Sequence, residues 1–153
     1  MRSKNPLPNV HRGATAIEAA VVLPVALLAL FAILDLGLAS LRYNTLAEAA
    51  RRLARAAVMR GEETPSEIGN DWGPTEIIAT AADSIDPALT IHPLLPTMDP
   101  ADVSIRMTWP DTTNNSGSRV RVELQYQHQP LVPGFNPWGA IQLESSSQMR
   151  IIN

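Results

Sequence analysis

The chain has 153 residues, a formal net charge of −3, 13 prolines and 45% hydrophobic residues. That length suits one modest domain rather than two independent ones. The acidic balance excludes a strongly basic nucleic-acid binder, and the lack of cysteine excludes disulfides, thiolate metal sites and a cysteine nucleophile. Charge is uneven: Arg42, Arg51, Arg52, Arg55 and Arg60 crowd one segment, while the ten acids from Glu62 to Asp111 face only Arg106.

Residues 1–13 form a short basic leader with Arg2, Lys4 and Arg12. From Ala19 to Leu34 follow sixteen residues without charge, AAVVLPVALLALFAIL. Taken over residues 14–41, this predicts a transmembrane helix roughly 42 Å long at about 1.5 Å per residue, against a hydrocarbon core of roughly 30 Å. Pro24 removes one backbone donor and predicts a kink near Ala20, which membrane helices tolerate. Basic residues flank the segment on both sides, so their count does not choose an orientation. Glu18 sits in the first turns of the apolar stretch with no basic residue at helical spacing downstream. At membrane depth such a carboxylate calls for a positive partner from outside this helix, and at headgroup level it is simply hydrated.

Tyr43 to Arg60, YNTLAEAARRLARAAVMR, lacks Gly and Pro and is rich in strong helix formers. Leu46, Ala49, Ala50, Leu53 and Ala57 make an apolar stripe, with Glu48, Arg51, Arg52 and Arg55 on the other side. Residues 42–61 therefore extend the helix as an amphipathic element, with Gly61 as its stop and Glu48 paired to Arg52. The arginine face is a solvated polar surface in the plain reading and a lipid-headgroup contact in the other.

Residues 62–153 read as a small α+β domain. Its first part, 61–74, is loop chemistry, Thr75–Ile85 is a short helix candidate, and Pro87, Pro93, Pro96 and Pro100 forbid regular structure beyond it. Val103, Ile105, Met107 and Trp109 then alternate with polar residues, as do Val120, Val122, Leu124 and Tyr126, and PDTTNNSGS joins the two runs as a hairpin. Ala140–Ile152 supplies a third strand with Ile141, Leu143, Met149 and Ile151 on one face. The expected fold is a three-stranded antiparallel sheet covered by the alanine stripe of the long helix.

The run Arg12 to Pro24, RGATAIEAAVVLP, resembles the start of TadE-like proteins and, more broadly, the class III signal of type IV pilins. The later stretches VRVELQYQHQPLVPGF and LESSSQMR are similar to the strand, proline-containing loop and closing strand of TadE-like chains. The resemblance implies a pseudopilin of the Tad/Flp pilus-assembly system with a pilin-like fold. It would be held single-pass in the bacterial inner membrane with its C-terminal domain outside the cytoplasm. It implies cleavage by a prepilin peptidase between Gly13 and Ala14, which leaves Glu18 fifth in the mature chain, facing the new amino terminus of a neighbouring subunit and setting register. Partners would be that peptidase, other pilin or pseudopilin subunits and the assembly platform. Ala19 stands where major pilins of this system usually carry tyrosine, which implies a minor subunit. Cleavage would take the mature chain to −6, with 12 − 3 = 9 basic against 15 acidic residues.

Two alternatives stand beside this reading. Gly37-Leu38-Ala39 before Ser40 forms a small-x-small site for an ordinary secretory signal peptide, and the domain alone would serve a membrane-tethered periplasmic binding module. Catalytic motifs are missing: there is no HExxH, Walker loop, dinucleotide turn or GxSxG. No enzyme activity, cofactor or small-molecule substrate is expected. Among the histidines, only His128 with Glu123 or Glu144 suggests a metal site.

Overall fold

The computed structural model describes residues 10–65, 72–132 and 139–152, with side chains from Thr15 onward. Most of the expected leader, and the 133–138 part of the proline-containing loop, lie outside the described residues. The chain divides into two compact units, Met1–Leu36 and Gly37–Asn153.

Helix α1, Val10–Val58, runs 49 residues with Pro24 inside it. Up to Leu36 it constitutes the described part of the first unit. In the second unit the predicted stripe is the buried one: Leu46, Ala49, Ala50, Leu53, Ala54 and Ala57 join Val103, Ile105, Met107, Val120, Val122 and Leu124 in a single core cluster. The spacing of three and four turns this face toward the sheet, and the small alanine side chains allow close approach. The helix ends at Val58, three residues before the expected stop at Gly61. Of its last carbonyls, Ala57 O accepts from Arg60 N–H at 3.0 Å and Val58 O from Ile152 N–H at 3.5 Å. Glu48 also departs from expectation. It pairs with Arg51 at 3.0 Å and Arg55 at 3.2 Å rather than with Arg52.

The sheet has four strands, not three, in the order β1-β2-β3-β4, comprising β1 Ile77–Thr80, β2 Val103–Thr108, β3 Arg119–His128 and β4 Ile141–Arg150. All neighbours are antiparallel; Ile77 pairs with Met107, Ile105 with Leu124, and Leu124 with Ser145. The added strand lies within Thr75–Ile85, the segment expected to be helical. Ile77, Ile78 and Thr80 are β-branched, and the open backbone of β2 provides hydrogen bonds that so short a helix would not.

The proline-rich stretch is likewise more ordered than expected. Pro87 stands in the first turn of α2, Asp86–Ile91, and Pro93 and Pro100 stand in the first turns of two 3-10 helices, His92–Leu94 and Pro100–Asp102. At a helix start the missing proline N–H has no intrahelical partner to lose. These prolines begin elements rather than prevent them.

The loop after α1 is pinned from both sides. Trp72 N–H donates to Arg60 O at 2.9 Å, and the Arg60 guanidinium lies 4.4 Å from the Trp72 ring centroid while pairing with Asp86 at 2.9 Å. Trp109 Nε1 donates to the buried Asn114 Oδ1 at 3.0 Å. Gly73, at φ +93°, packs so closely on the Trp109 indole that a β-carbon there would overlap it.

Candidate functional site

The residues singled out in the sequence fall on α1. Gly13 and Ala14 are its fourth and fifth residues, so the bond between them is helical. Glu18 lies one turn further on and is exposed. Val21 and Val22, three and four positions along, share its face and are exposed too. Helix α1 continues through Pro24.

Between Ile17 and Leu36 eleven large apolar side chains are exposed, among them Ile17 at 71%, Ile33 at 70% and Leu36 at 71%. None of the most apolar eighteen-residue window of this helix is buried, and its length and composition suffice to cross a membrane. A core helix of a water-soluble fold would bury such a window. At about 1.5–3 kcal/mol per large side chain, holding them in water costs on the order of 15–30 kcal/mol, more than the net stability of a typical domain. This surface requires lipid or other apolar helices.

Arg42, read from sequence as one of a basic cluster, plays a different part. Its Nε donates to Thr97 O at 3.0 Å, its Nη1 lies 2.7 Å from His128 Nδ1, and its guanidinium is 5.3 Å from the Tyr126 ring centroid. A guanidinium only donates, so Nδ1 is the acceptor and the imidazole proton sits on Nε2. The spacing 42, 46, 49/50, 53, 57 puts Arg42 in line with the buried stripe, which the grouping of the arginines by charge passed over.

The metal site suggested for His128 does not form. His128 is buried on the inward face of β3, whereas Glu123 is on the outward face and Glu144 pairs across from Gln125, also outward. No group of three metal-ligating side chains occurs among the described residues.

Residues 13–55 fit the family model described as TadE-like protein. No curated protein and no solved structure matches the chain. The matched span opens at Gly13, includes Glu18 and the whole exposed apolar run, and closes within the buried stripe. Over residues 13–55, most of α1, the chain is similar to TadE-like proteins.

Proposed function

We propose that this protein is a pseudopilin, a minor structural subunit of a Tad/Flp pilus-assembly system, held single-pass in the inner membrane by α1 with residues 62–153 outside the cytoplasm. The observation that carries the proposal is the exposed apolar run of α1, with Glu18 at its start, inside the span that matches the TadE-like family. A helix on an antiparallel sheet is also the plan of a pilin-like subunit.

In this reading residues 1–13 are a leader and a prepilin peptidase cuts between Gly13 and Ala14. A protease needs extended backbone, so α1 must unwind locally. Gly13 stands close to the helix end and is about 1 kcal/mol poorer than alanine as a helix former, which lowers that cost. The cut creates an α-amino cation at Ala14. The Glu18 carboxylate of a neighbouring subunit pairs with it among apolar helices, where the low dielectric strengthens the attraction and an unpaired charge is penalised. Axial register between subunits follows from that penalty. Pro24 supplies a kink that sets how neighbouring anchors pack.

Intact mass of the membrane-extracted protein tests the reading. A mature chain beginning at Ala14 is expected, with Gly13→Ala slowing processing. A chain beginning at Ser40, or one left full length in cells with an active peptidase, refutes it.

A further inference from the structure

Two contacts fix the direction of α1 along the sheet within the unit Gly37–Asn153. Arg42 Nη1 lies 2.7 Å from Nδ1 of His128, the last residue of β3, while Val58 O accepts from Ile152 N–H at 3.5 Å just beyond β4. The chain therefore enters this unit, at Gly37, beside the β3–β4 end of the sheet, and the helix finishes beside the β2–β3 end. The two ends differ in chemistry. At the β2–β3 end Asp111 pairs with Arg119 at 2.6 Å, and Arg150 stands opposite Arg119 and donates to Gly117 O at 3.2 Å. At the other end, the twenty residues from Leu124 to Leu143 contain no Asp, Glu, Lys or Arg, the longest such run in the chain.

Apolar side chains are left uncovered at this second end. Leu131, three residues past β3, is 51% exposed, and Ile141, which opens β4, is 38% exposed. Ile141 is the cross-strand partner of His128, and paired residues share a face, so it stands on the side that α1 covers. Leu41, next to Arg42, is exposed as well. Single exposed leucines need no explanation, but these gather at one uncharged corner. Arg42 adds no open charge there, because its guanidinium is engaged by His128, the Thr97 carbonyl and the Tyr126 ring. The nearby acids Asp83, Asp99 and Asp102 belong to the connection between β1 and β2, where Asp83 and Asp99 accept the backbone N–H of Thr80 and of Ala101.

We infer that this corner, Leu131 and Ile141 beside the entry of α1, rests in the headgroup layer of the bilayer against zwitterionic lipid. The inference rests on the anchored reading. Beyond that it uses the geometry of the second unit alone and the peptide bond that joins Leu36 to Gly37. The exposed apolar run Ile17–Leu36 is twenty residues, roughly 30 Å at about 1.5 Å per residue, which matches the hydrocarbon core. Arg42 follows six residues later, about 9 Å of helix, and the headgroup layer on each side is roughly 5–8 Å deep. A corner held on Arg42 that presents leucine and isoleucine without charge suits the boundary between headgroups and acyl chains. Its neutrality, with acids close by, calls for no anionic lipid.

The test uses the lack of cysteine in this chain. Leu131→Cys, Ile141→Cys, Ser116→Cys and Val25→Cys each give a single thiol for a fluorophore on the full-length protein. Each labelled variant is placed in phosphatidylcholine nanodiscs, part of the lipid carrying a nitroxide on its acyl chain, and quenching by that lipid and by aqueous iodide is read separately. Labels at 131 and 141 are expected to be quenched by the lipid at least about threefold more than the label at Ser116 in the exposed β2–β3 loop, and less by iodide. Val25, exposed in the apolar run, reports the anchor independently. Lipid quenching there, with 131 and 141 as open to iodide as Ser116, overturns the inference and leaves the anchored reading standing. A Val25 label open to iodide removes the anchored reading and the inference with it. Labels at 131 and 141 shielded from both quenchers also overturn it, since protein then covers the corner.

Discussion

Arg42 joins α1 to β3 and to the Thr97 carbonyl through three contacts on one half-buried side chain. Arg42→Met keeps the aliphatic stem but strands two acceptors, and is expected to lower unfolding free energy by about 1–3 kcal/mol in a denaturant titration of the detergent-solubilised chain. Gly73→Ala should cost more than about 1 kcal/mol, because the positive φ and the Trp109 indole both oppose a β-carbon. Asp111 gives a pH dependence. Hydrogen bonds from the Arg119 side chain, then from its backbone N–H, hold the Asp111 carboxyl down from 3.8 to about 2. A lowered native value means that the contribution is complete above the ordinary value and is lost as pH falls through the lowered one. Stability should therefore drop between about pH 4 and pH 2, and Asp111→Asn should flatten that part of the profile. The pair is partly exposed, so the effect is modest and salt-sensitive.

At the scale of elements, the periodic segments were legible and the short ones were not. The stripe from Leu46 to Ala57 and the alternation in β2 and β3 each repeat often enough to identify face and partner, and each is buried as its period requires. In β1 only four residues pair, too few for either period to show, and tertiary pairing with β2 decided against the helix. The prolines misled because position within an element matters as much as presence. Of the candidate site, the apolar run was readable from sequence alone, because sixteen uncharged residues in a row outlast any local ambiguity. The roles of Arg42 and Arg60 were obscured by grouping them with Arg51, Arg52 and Arg55 as one basic segment. Leu53→Ala, at the centre of the stripe, is expected to cost about 2–5 kcal/mol, and Arg52→Ala on the exposed side under about 0.5 kcal/mol, both by denaturant midpoint.

For the whole molecule, the two units call for different solvents. One is an apolar helical surface that water does not tolerate, and the other a core closed over by polar strands. In the pseudopilin reading, Glu18→Gln leaves membrane insertion intact, since it only removes a charge from an apolar segment. It should reduce incorporation into assembled complexes, which co-sedimentation of membrane-extracted protein with pilus components would measure. Loss of insertion in that variant, or unchanged assembly, would count against the register role.

At the β1 edge Thr80 N–H donates to Asp83 Oδ2 at 2.7 Å and Thr80 O accepts from Asp83 N–H at 3.2 Å, a closure that bears on crowding. In the pseudopilin reading anchored chains meet in two dimensions, where local concentrations are high and a sheet open at both ends invites stacking without limit. With Thr80 N–H and carbonyl both bonded to Asp83, the β1 edge offers no backbone group at that position to a further strand. Asp83→Ala, which removes the side-chain acceptor, is expected to raise the share of high-mass species in size-exclusion profiles while leaving the monomer's fold unchanged.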